Sequence, residues 1–331
     1  MHLKTSLASL VIAFGLLSPS AVSAAGLNST QVNAILGLLR AFGAEEKIVA
    51  NVSLALGVSM EAASTVSPSQ TQATTTSYVR PSTLGSMYPS SGVGFDLSYD
   101  TKNYPQPPFG FAVIGVTAGK AFTTNARLAN EFNWATLSSA VRPTFYLNLN
   151  APYGSSATTA NVSGPRKCET LFGAAVTSAS SGGTYPEPTP CAAYNYGYNT
   201  AKHAYAYVSN QANVSSPFWW LDIEEANSWS DNTAVNDEVI QGAIDYLNTK
   251  DIRVGIYSVP YMWKNIAGLD FTPTQNAKGQ TSIPTWFPIG ISTQVKALNA
   301  CLNRASFIPG SPVWIIQYEL DRTSVDQNVA C

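Results

Sequence analysis

The sequence predicts an α/β protein whose main domain is a closed, eight-stranded barrel of (β/α)8 type. Three observations predict it. Short apolar runs alternate with helical patterns, which argues for a parallel sheet. Eight such runs fall within residues 92–331, a stretch of the size a closed barrel needs. No glycine-rich phosphate loop follows the first run, which argues against a doubly wound open sheet, the alternative arrangement.

The predicted strands, in order, are Val93–Leu97, Phe111–Thr117, Thr144–Leu149, Phe218–Ile223, Arg253–Tyr257, Thr285–Ile289, Val313–Gln317 and a short last one near Val325. Helical spacing of apolar residues predicts helices over Arg127–Ala140, Asn195–Asn210, Thr233–Thr249 and Thr293–Arg304. Together they describe a TIM-like barrel.

Three segments precede it. Residues 1–25 read as a secretory signal: a basic start at His2 and Lys4, an apolar core from Leu7 to Leu17, and a small-residue end at Ala21–Ala24. Residues 26–57 read as a helical hairpin. Val32, Ile35, Leu36, Leu39 and Phe42 follow helical spacing, Asn28 with Gln31 fits a capping box, and Gly43 sits where a C′ glycine would. The second helix opens on Glu45 and Glu46 and carries Ile48, Val52, Ala55 and Leu56. Too small to bury much surface alone, the hairpin is expected to mediate attachment or self-association, or to act as a spacer. Residues 58–91, rich in Ser, Thr, Pro and Gln, read as a flexible linker.

Composition excludes several functions. The net charge is −2, only 11% of residues are charged, and no basic patch occurs, so nucleic acid is not an expected partner. No segment after the signal is long and apolar enough to span a membrane, so an exported protein, secreted or associated with the cell envelope, is expected. The four cysteines Cys168, Cys191, Cys301 and Cys331 suit disulfides in an exported chain. Three pairings are possible, and sequence proximity favours Cys168–Cys191 and Cys301–Cys331. No Cys-x-x-Cys occurs and His2 and His203 are the only histidines, so neither a metal centre nor a cofactor is expected. Sixteen Tyr and seven Trp supply faces suited to sugar rings, although most rings of this size fill a core.

The stretch Pro217–Glu225 carries the chemistry. Phe218–Leu221 reads as a buried strand feeding Asp222-Ile223-Glu224. Strand side chains alternate, so Asp222 and Glu224 point to one side with Cα atoms about 6–7 Å apart. Carboxylates at the C-terminal end of a barrel strand are placed for acid/base catalysis. The alternative is a turn-capping Asp222 and a Glu224 paired with a surface Arg.

At this point a family resemblance enters. Gly94-Phe-Asp-Leu-Ser98 resembles the first strand of the family-25 glycoside hydrolases, secreted muramidases that cut peptidoglycan. Phe111-Ala-Val-Ile-Gly-Val-Thr-Ala-Gly119 resembles their second strand, Leu221-Asp-Ile-Glu224 their fourth and Gly255-Ile-Tyr-Ser258 their fifth. Gln317-Tyr318 and Val325-Asp-Gln-Asn328 resemble their closing motifs. The sequence is more similar still to glycoside-hydrolase-like domains of unknown function that share Phe122-Thr-x-Asn125, Asn227-x-Trp-Ser-x-Asn232 and a terminal cysteine.

The resemblance implies a glycoside hydrolase acting on peptidoglycan or another amino-sugar polysaccharide. It implies Glu224 as general acid, Asp222 as the group orienting the substrate's N-acetyl nucleophile, and Asp96 and Asp326 as acids of the first and last strands. A retaining, substrate-assisted mechanism would follow, an exception to the two-carboxylate scheme. Trp220, Tyr257, Gln317, Tyr318 and Asn148 are expected to contact substrate. Three departures stand out: Gly115 replaces a lysine, Ala118 replaces a glutamate, and Phe145-Tyr-Leu-Asn148 lacks the usual Tyr-His. They favour the alternative function, an inactive barrel that binds glycan or cell-wall material.

Overall fold

The computed structural model describes residues 86–153, 157–177, 184–277, 279, 281–321 and 325–331. The chain divides into two compact units, Met1–Tyr78 and Val79–Cys331. The first unit, with the expected signal and helical hairpin, lies outside the described residues, as does most of the expected linker.

Ten strands are described: β1 (Val93–Leu97), β2 (Phe111–Gly115), β3 (Thr144–Asn148), β4 (Phe172–Thr177), β5 (Thr184–Pro188), β6 (Phe218–Asp222), β7 (Arg253–Tyr257), β8 (Thr285–Ile291), β9 (Val313–Glu319) and β10 (Gln327–Ala330). The helices are α1 (Leu128–Ser138), α2 (Thr159–Val162), α3 (Pro190–Ser209), α4 (Thr233–Asn248), α5 (Pro260–Ala267) and α6 (Gln294–Asn303). Eight strands close a barrel in the order β1-β10-β9-β8-β7-β6-β3-β2. The α/β barrel expected from the sequence is therefore present.

It departs from a regular (β/α)8 pattern in two places. Among the described residues, no helix separates β1 from β2 or β9 from β10. The second absence has a physical reason. Between Glu319 and Gln327 the chain is too short for a crossover, so β10 returns antiparallel to β9 and then pairs antiparallel with β1. The hairpin β4–β5 and helices α2 and α5 were not expected from sequence. The hairpin is an excursion between β3 and α3, and its strands lack the continuous apolar run that marks a buried barrel strand.

Side-chain alternation divides the barrel strands cleanly. On β6, Trp219, Leu221 and Ile223 face the outer layer, where they join Val239, Ile240 and Ala243 of α4 and Ala193 and Tyr196 of α3 in one apolar core. Phe218 and Trp220 face the interior with Phe111, Val113, Trp286 and Trp314. Gly255 on the neighbouring strand is needed here, because a Cβ would lie 2.3 Å from the Trp220 ring. Helix starts are fixed by side chains that accept backbone N–H groups: Thr189 for α3, Asn232 for α4 and Thr293 for α6.

Both disulfides pair as expected, Cys168–Cys191 and Cys301–Cys331. The first closes the base of the β4–β5 excursion onto α3. The second ties α6 to the chain end just beyond β10. Removing Cys301–Cys331 with Ala substitutions should lower stability by roughly 3–4 kcal/mol on loop-entropy grounds, read as a lower midpoint in denaturant.

The expected start of the barrel at residue 92 requires correction. Tyr88 is 4% exposed and sits inside the barrel base. Its hydroxyl contacts Thr144 Oγ1 at 2.8 Å and accepts the Trp220 Nε1 hydrogen at 2.8 Å, and its ring packs 4.6 Å from that of Phe111. A single buried aromatic inside a polar stretch is invisible to composition, which therefore extends the linker to residue 91. Tyr88→Ala should cost about 3–5 kcal/mol, as large-to-small aromatic substitutions in cores do. A chain trimmed to begin at residue 92 should show the same loss, measured by urea unfolding against a chain beginning at residue 79.

Candidate active site

The C-terminal ends of the parallel strands form the mouth of the barrel, and the four expected acids meet there. Asp96 lies near the end of β1, Asp222 ends β6, and Glu224 follows two residues later. Asp326 arrives by a different route. Because β10 runs antiparallel, its first residues lie at the same face as the ends of its neighbours. Phe95 is in register with Gln327, and the Asp96 N–H donates to the Asp326 carbonyl at 3.3 Å.

Asp96 is 9% exposed and organises one half of the site. Its Oδ1 accepts from Gln317 Nε2 at 3.0 Å and from Asn328 Nδ2 at 2.7 Å. Asn328 Oδ1 in turn accepts from Trp286 Nε1, and Gln317 Oε1 accepts from the Tyr257 hydroxyl, each at 2.9 Å. Asp222 organises the other half. Its Oδ2 accepts from Asn148 Nδ2, and Asn148 Oδ1 accepts from Thr117 Oγ1 at 2.5 Å. Asp222 Oδ1 is buried with no hydrogen-bond partner. Glu224 is half-buried, and its backbone carbonyl accepts from Trp229 Nε1 at 2.8 Å.

The electrostatics follow from burial without a compensating cation. Burial, reinforced by the Asp326 carboxylate, raises Asp96 well above the carboxylate range. Burial, then Glu224 and Asp96, does the same to Asp222. Burial raises Glu224. Asp326 is pushed up to about 6 by burial, then by Glu319 and Glu224. None of the four is lowered by a neighbouring cation. Neutral amides hold Asp96 and Asp222 instead. Acids raised in this way by burial and by one another are suited to giving up a proton to a leaving oxygen.

Among the expected contact residues, Asn148, Tyr257 and Gln317 stand at the mouth. Trp220 and Tyr318 do not. Trp220 faces inward but lies one layer below Asp222, fully buried beneath the acids. Tyr318 is 1% exposed and packs outside the barrel with Phe287 and Ile316. Adjacent strand residues face opposite sides, so Gln317 and Tyr318 cannot both line one site. Neither Trp220 nor Tyr318 is placed to touch a substrate.

Sequence reasoning missed Thr117 and Tyr146. Tyr146 stands on β3, two residues before Asn148 on the same face. Its hydroxyl is pushed well above the usual phenol range by burial, then by Asp222 and Asp96, which places it beside the acids as a neutral group. Gly115 makes this possible, because a Cβ there would lie 2.6 Å from Tyr146 Cζ. The glycine that departs from the muramidase pattern is thus paired with a tyrosine that occupies the space above it. The two-residue spacing on β3 was the available signal.

Residues 160–290 match the family model described as lysozyme-like protein 1. The matched span holds Asp222 and Glu224 and leaves out Asp96 and Asp326. Lysozyme-like protein 5 of Caenorhabditis elegans is 38% identical over 69 residues, 21% of this chain. The barrel domain resembles the lysozyme-like proteins. The chain spans only 29% of the length of that curated relative. Among solved structures, the catalytic domain of an endolysin from a Listeria monocytogenes bacteriophage shares 18% identity at a TM-score of 0.38, covering 72% of this chain and 92% of its own. The modular autolysin LytC of Streptococcus pneumoniae shares 12% at a TM-score of 0.41, covering 72% of this chain and 46% of its own.

The raised Asp326 makes a stability prediction. A carboxyl whose folded pKa of about 6 exceeds its ordinary value of 3.8 favours the fold when protonated, and that contribution is lost as pH rises from about 4 through 6. Asp326→Asn should therefore stabilise the protein at pH 7 by on the order of 1–3 kcal/mol, with the gain vanishing near pH 4. Thermal unfolding followed across this range would show it.

Proposed function

We propose that the chain is an exported glycoside hydrolase that cleaves an amino-sugar-containing cell-wall polysaccharide, with Glu224 as general acid and Asp222 as its orienting partner. The observation that carries the reading is the convergence of Asp96, Asp222, Glu224 and Asp326 on one mouth without an opposing cation. The match of residues 160–290 to a lysozyme-like family supports it. The two disulfides support export, since such bonds persist in oxidising compartments. Among the described residues, no helix is long and apolar enough to cross a membrane. Residues 26–57 serve, on this reading, as the attachment or self-association module.

The division of labour follows from the hydrogen bonds. The Asn148 amide donates to Asp222 and fixes its orientation, while burial and the neighbouring acids hold Asp222 well above the carboxylate range. No such donor engages the Glu224 carboxyl among the described residues, and burial raises its pKa, which suits a proton donor. Glu224 then delivers its proton to the glycosidic oxygen. The Asp222 carboxyl faces the substrate's N-acetyl group and orients it as its oxygen closes on the anomeric carbon and the glycosidic C–O bond breaks. In the return step water attacks the anomeric carbon and gives its proton to Glu224, the bond to the N-acetyl oxygen breaks, and the configuration is retained. Asp96 and Asp326 line the opposite wall as carboxyls raised chiefly by burial, and Tyr257, Gln317 and Asn148 supply neutral donors and acceptors toward the sugar.

Glu224→Gln keeps shape and removes the proton. It should lower turnover by on the order of 10²–10⁴, with Asp222→Asn comparably affected and both variants folded. The assay is reducing-sugar release from peptidoglycan and from a chitin-like polymer. If the wild-type chain releases nothing, yet binds one of these polymers equally well with and without Glu224, the barrel is a binding module.

A further inference from the structure

A cavity of about 380 Å³ opens on the loop that follows Glu224, lined by Glu225, Asn227, Trp229, Asp231 and Asn265 among others. Its size falls in the range that holds a small ligand. Its walls are the loop that begins at Glu224 and the outer face of α5. The loop is stiffly built. The Asn227 N–H and Trp229 Nε1 both donate to the Glu224 carbonyl, at 3.2 and 2.8 Å. Ser230 Oγ donates to Glu187 of β5, and Asn236 Oδ1 accepts the Ser230 N–H at 3.0 Å. Across the cavity Asn265 Nδ2 donates to Glu225 Oε1 at 2.7 Å, joining the two walls. Tyr261 lies one turn before Asn265 on α5, hence on the same face, and is 57% exposed. Its ring is a large apolar surface left in solvent on the helix face that carries Asn265.

The lining has a defined chemistry. Amide and carboxylate groups of Asn227, Asn265, Glu225 and Asp231 offer the paired donors and acceptors that sugar hydroxyls bind, the edge of the buried Trp229 closes the cavity floor, and the exposed Tyr261 ring offers an apolar face for the ring C–H groups. The lining contains two carboxylates and no Lys, Arg or His. An anionic ring would be repelled there and find no cation to hold it. We propose that this cavity, with Tyr261 as its outer wall, is a sugar subsite next to Glu224 that selects an uncharged ring and discriminates against anionic glycans. The proposal rests on the hydrolase reading above and extends it, because the subsite fixes which neighbour of the scissile bond the barrel accepts.

The test uses the full chain and two soluble probes, a β-linked N-acetylglucosamine tetrasaccharide and an oligogalacturonate of the same length. Hydrolysis of the tetrasaccharide is measured for the wild type, Tyr261→Ala, Tyr261→Phe and Asn227→Ala. Binding of both probes is measured by calorimetry in a Glu224→Gln background. Tyr261→Ala should raise KM and weaken binding about tenfold, the scale of a lost ring stack and its contact area, without changing kcat. Tyr261→Phe should restore both. Asn227→Ala should act in the same direction, and the oligogalacturonate should not bind. If the tetrasaccharide is cleaved but Tyr261→Ala and Asn227→Ala behave as wild type, the subsite is refuted while the hydrolase stands. If nothing is cleaved but the tetrasaccharide binds and Tyr261→Ala weakens it, the subsite stands and the hydrolase reading falls. Equal binding of the two probes removes the claimed selectivity, and binding of neither removes the subsite.

Discussion

Asp96 Oδ1 accepts one amide hydrogen from Gln317 on β9 and another from Asn328 on β10. Three consecutive strands of the ring therefore meet on a single carboxylate oxygen. The sheet closes here, and the chain arrives at this seam in the wrong direction for a regular barrel. The antiparallel return of β10 is what carries Asn328 under Asp96 and Asp326 beside it. Without that return the first strand would be an open edge, and the mouth would lack Asp326.

The interior is graded along the barrel axis. At the base, Tyr88, Phe111, Phe218 and Trp314 exclude water and stack against one another. One layer up, Trp220 and Trp286 are apolar in bulk, but each turns its indole N–H to a fixed acceptor, the Tyr88 hydroxyl and Asn328. Above them the carboxylates begin. The acids thus rest on a rigid aromatic floor, and that floor is much of what desolvates them. Their raised pKa values and the stability of the barrel base have the same origin. The mouth itself costs stability, since carboxylates gathered without cations repel one another when ionised.

Much of the barrel was legible because buried strands are short apolar runs. β1 and β7 agree residue for residue with the runs Val93–Leu97 and Arg253–Tyr257. What was not legible has identifiable causes. The β4–β5 hairpin lies outside the barrel and mixes Gly, Thr and Pro, so it carries no apolar signature. Helix α5 is eight residues long and begins at a proline, too short for its periodicity to register. At the site, the acids were found from motifs. The error over Trp220 and Tyr318 came from naming residues by motif without asking which way and how deep each one points. Alternation settles the first for Tyr318; the second, the depth of Trp220 below Asp222, needs the sheet register. Tyr146 was missed for the converse reason: it lies on a strand that departs from the family pattern, so motif reasoning passed over it.

Tyr88 has a consequence for how such domains are exchanged between proteins. A module is usually cut where composition changes, and here that would be near residue 92. The residue that fills the barrel base stands before that point, inside what composition marks as tether. The heritable unit is therefore larger than the ring of strands. A gene fusion that joined this barrel to a different leader at the apparent junction would leave a hole at the bottom and an unsatisfied indole N–H on Trp220. Only fusions that carry the short segment around Tyr88 along would pass on a sound barrel, which makes this stretch of tether subject to selection for a packing role rather than for length.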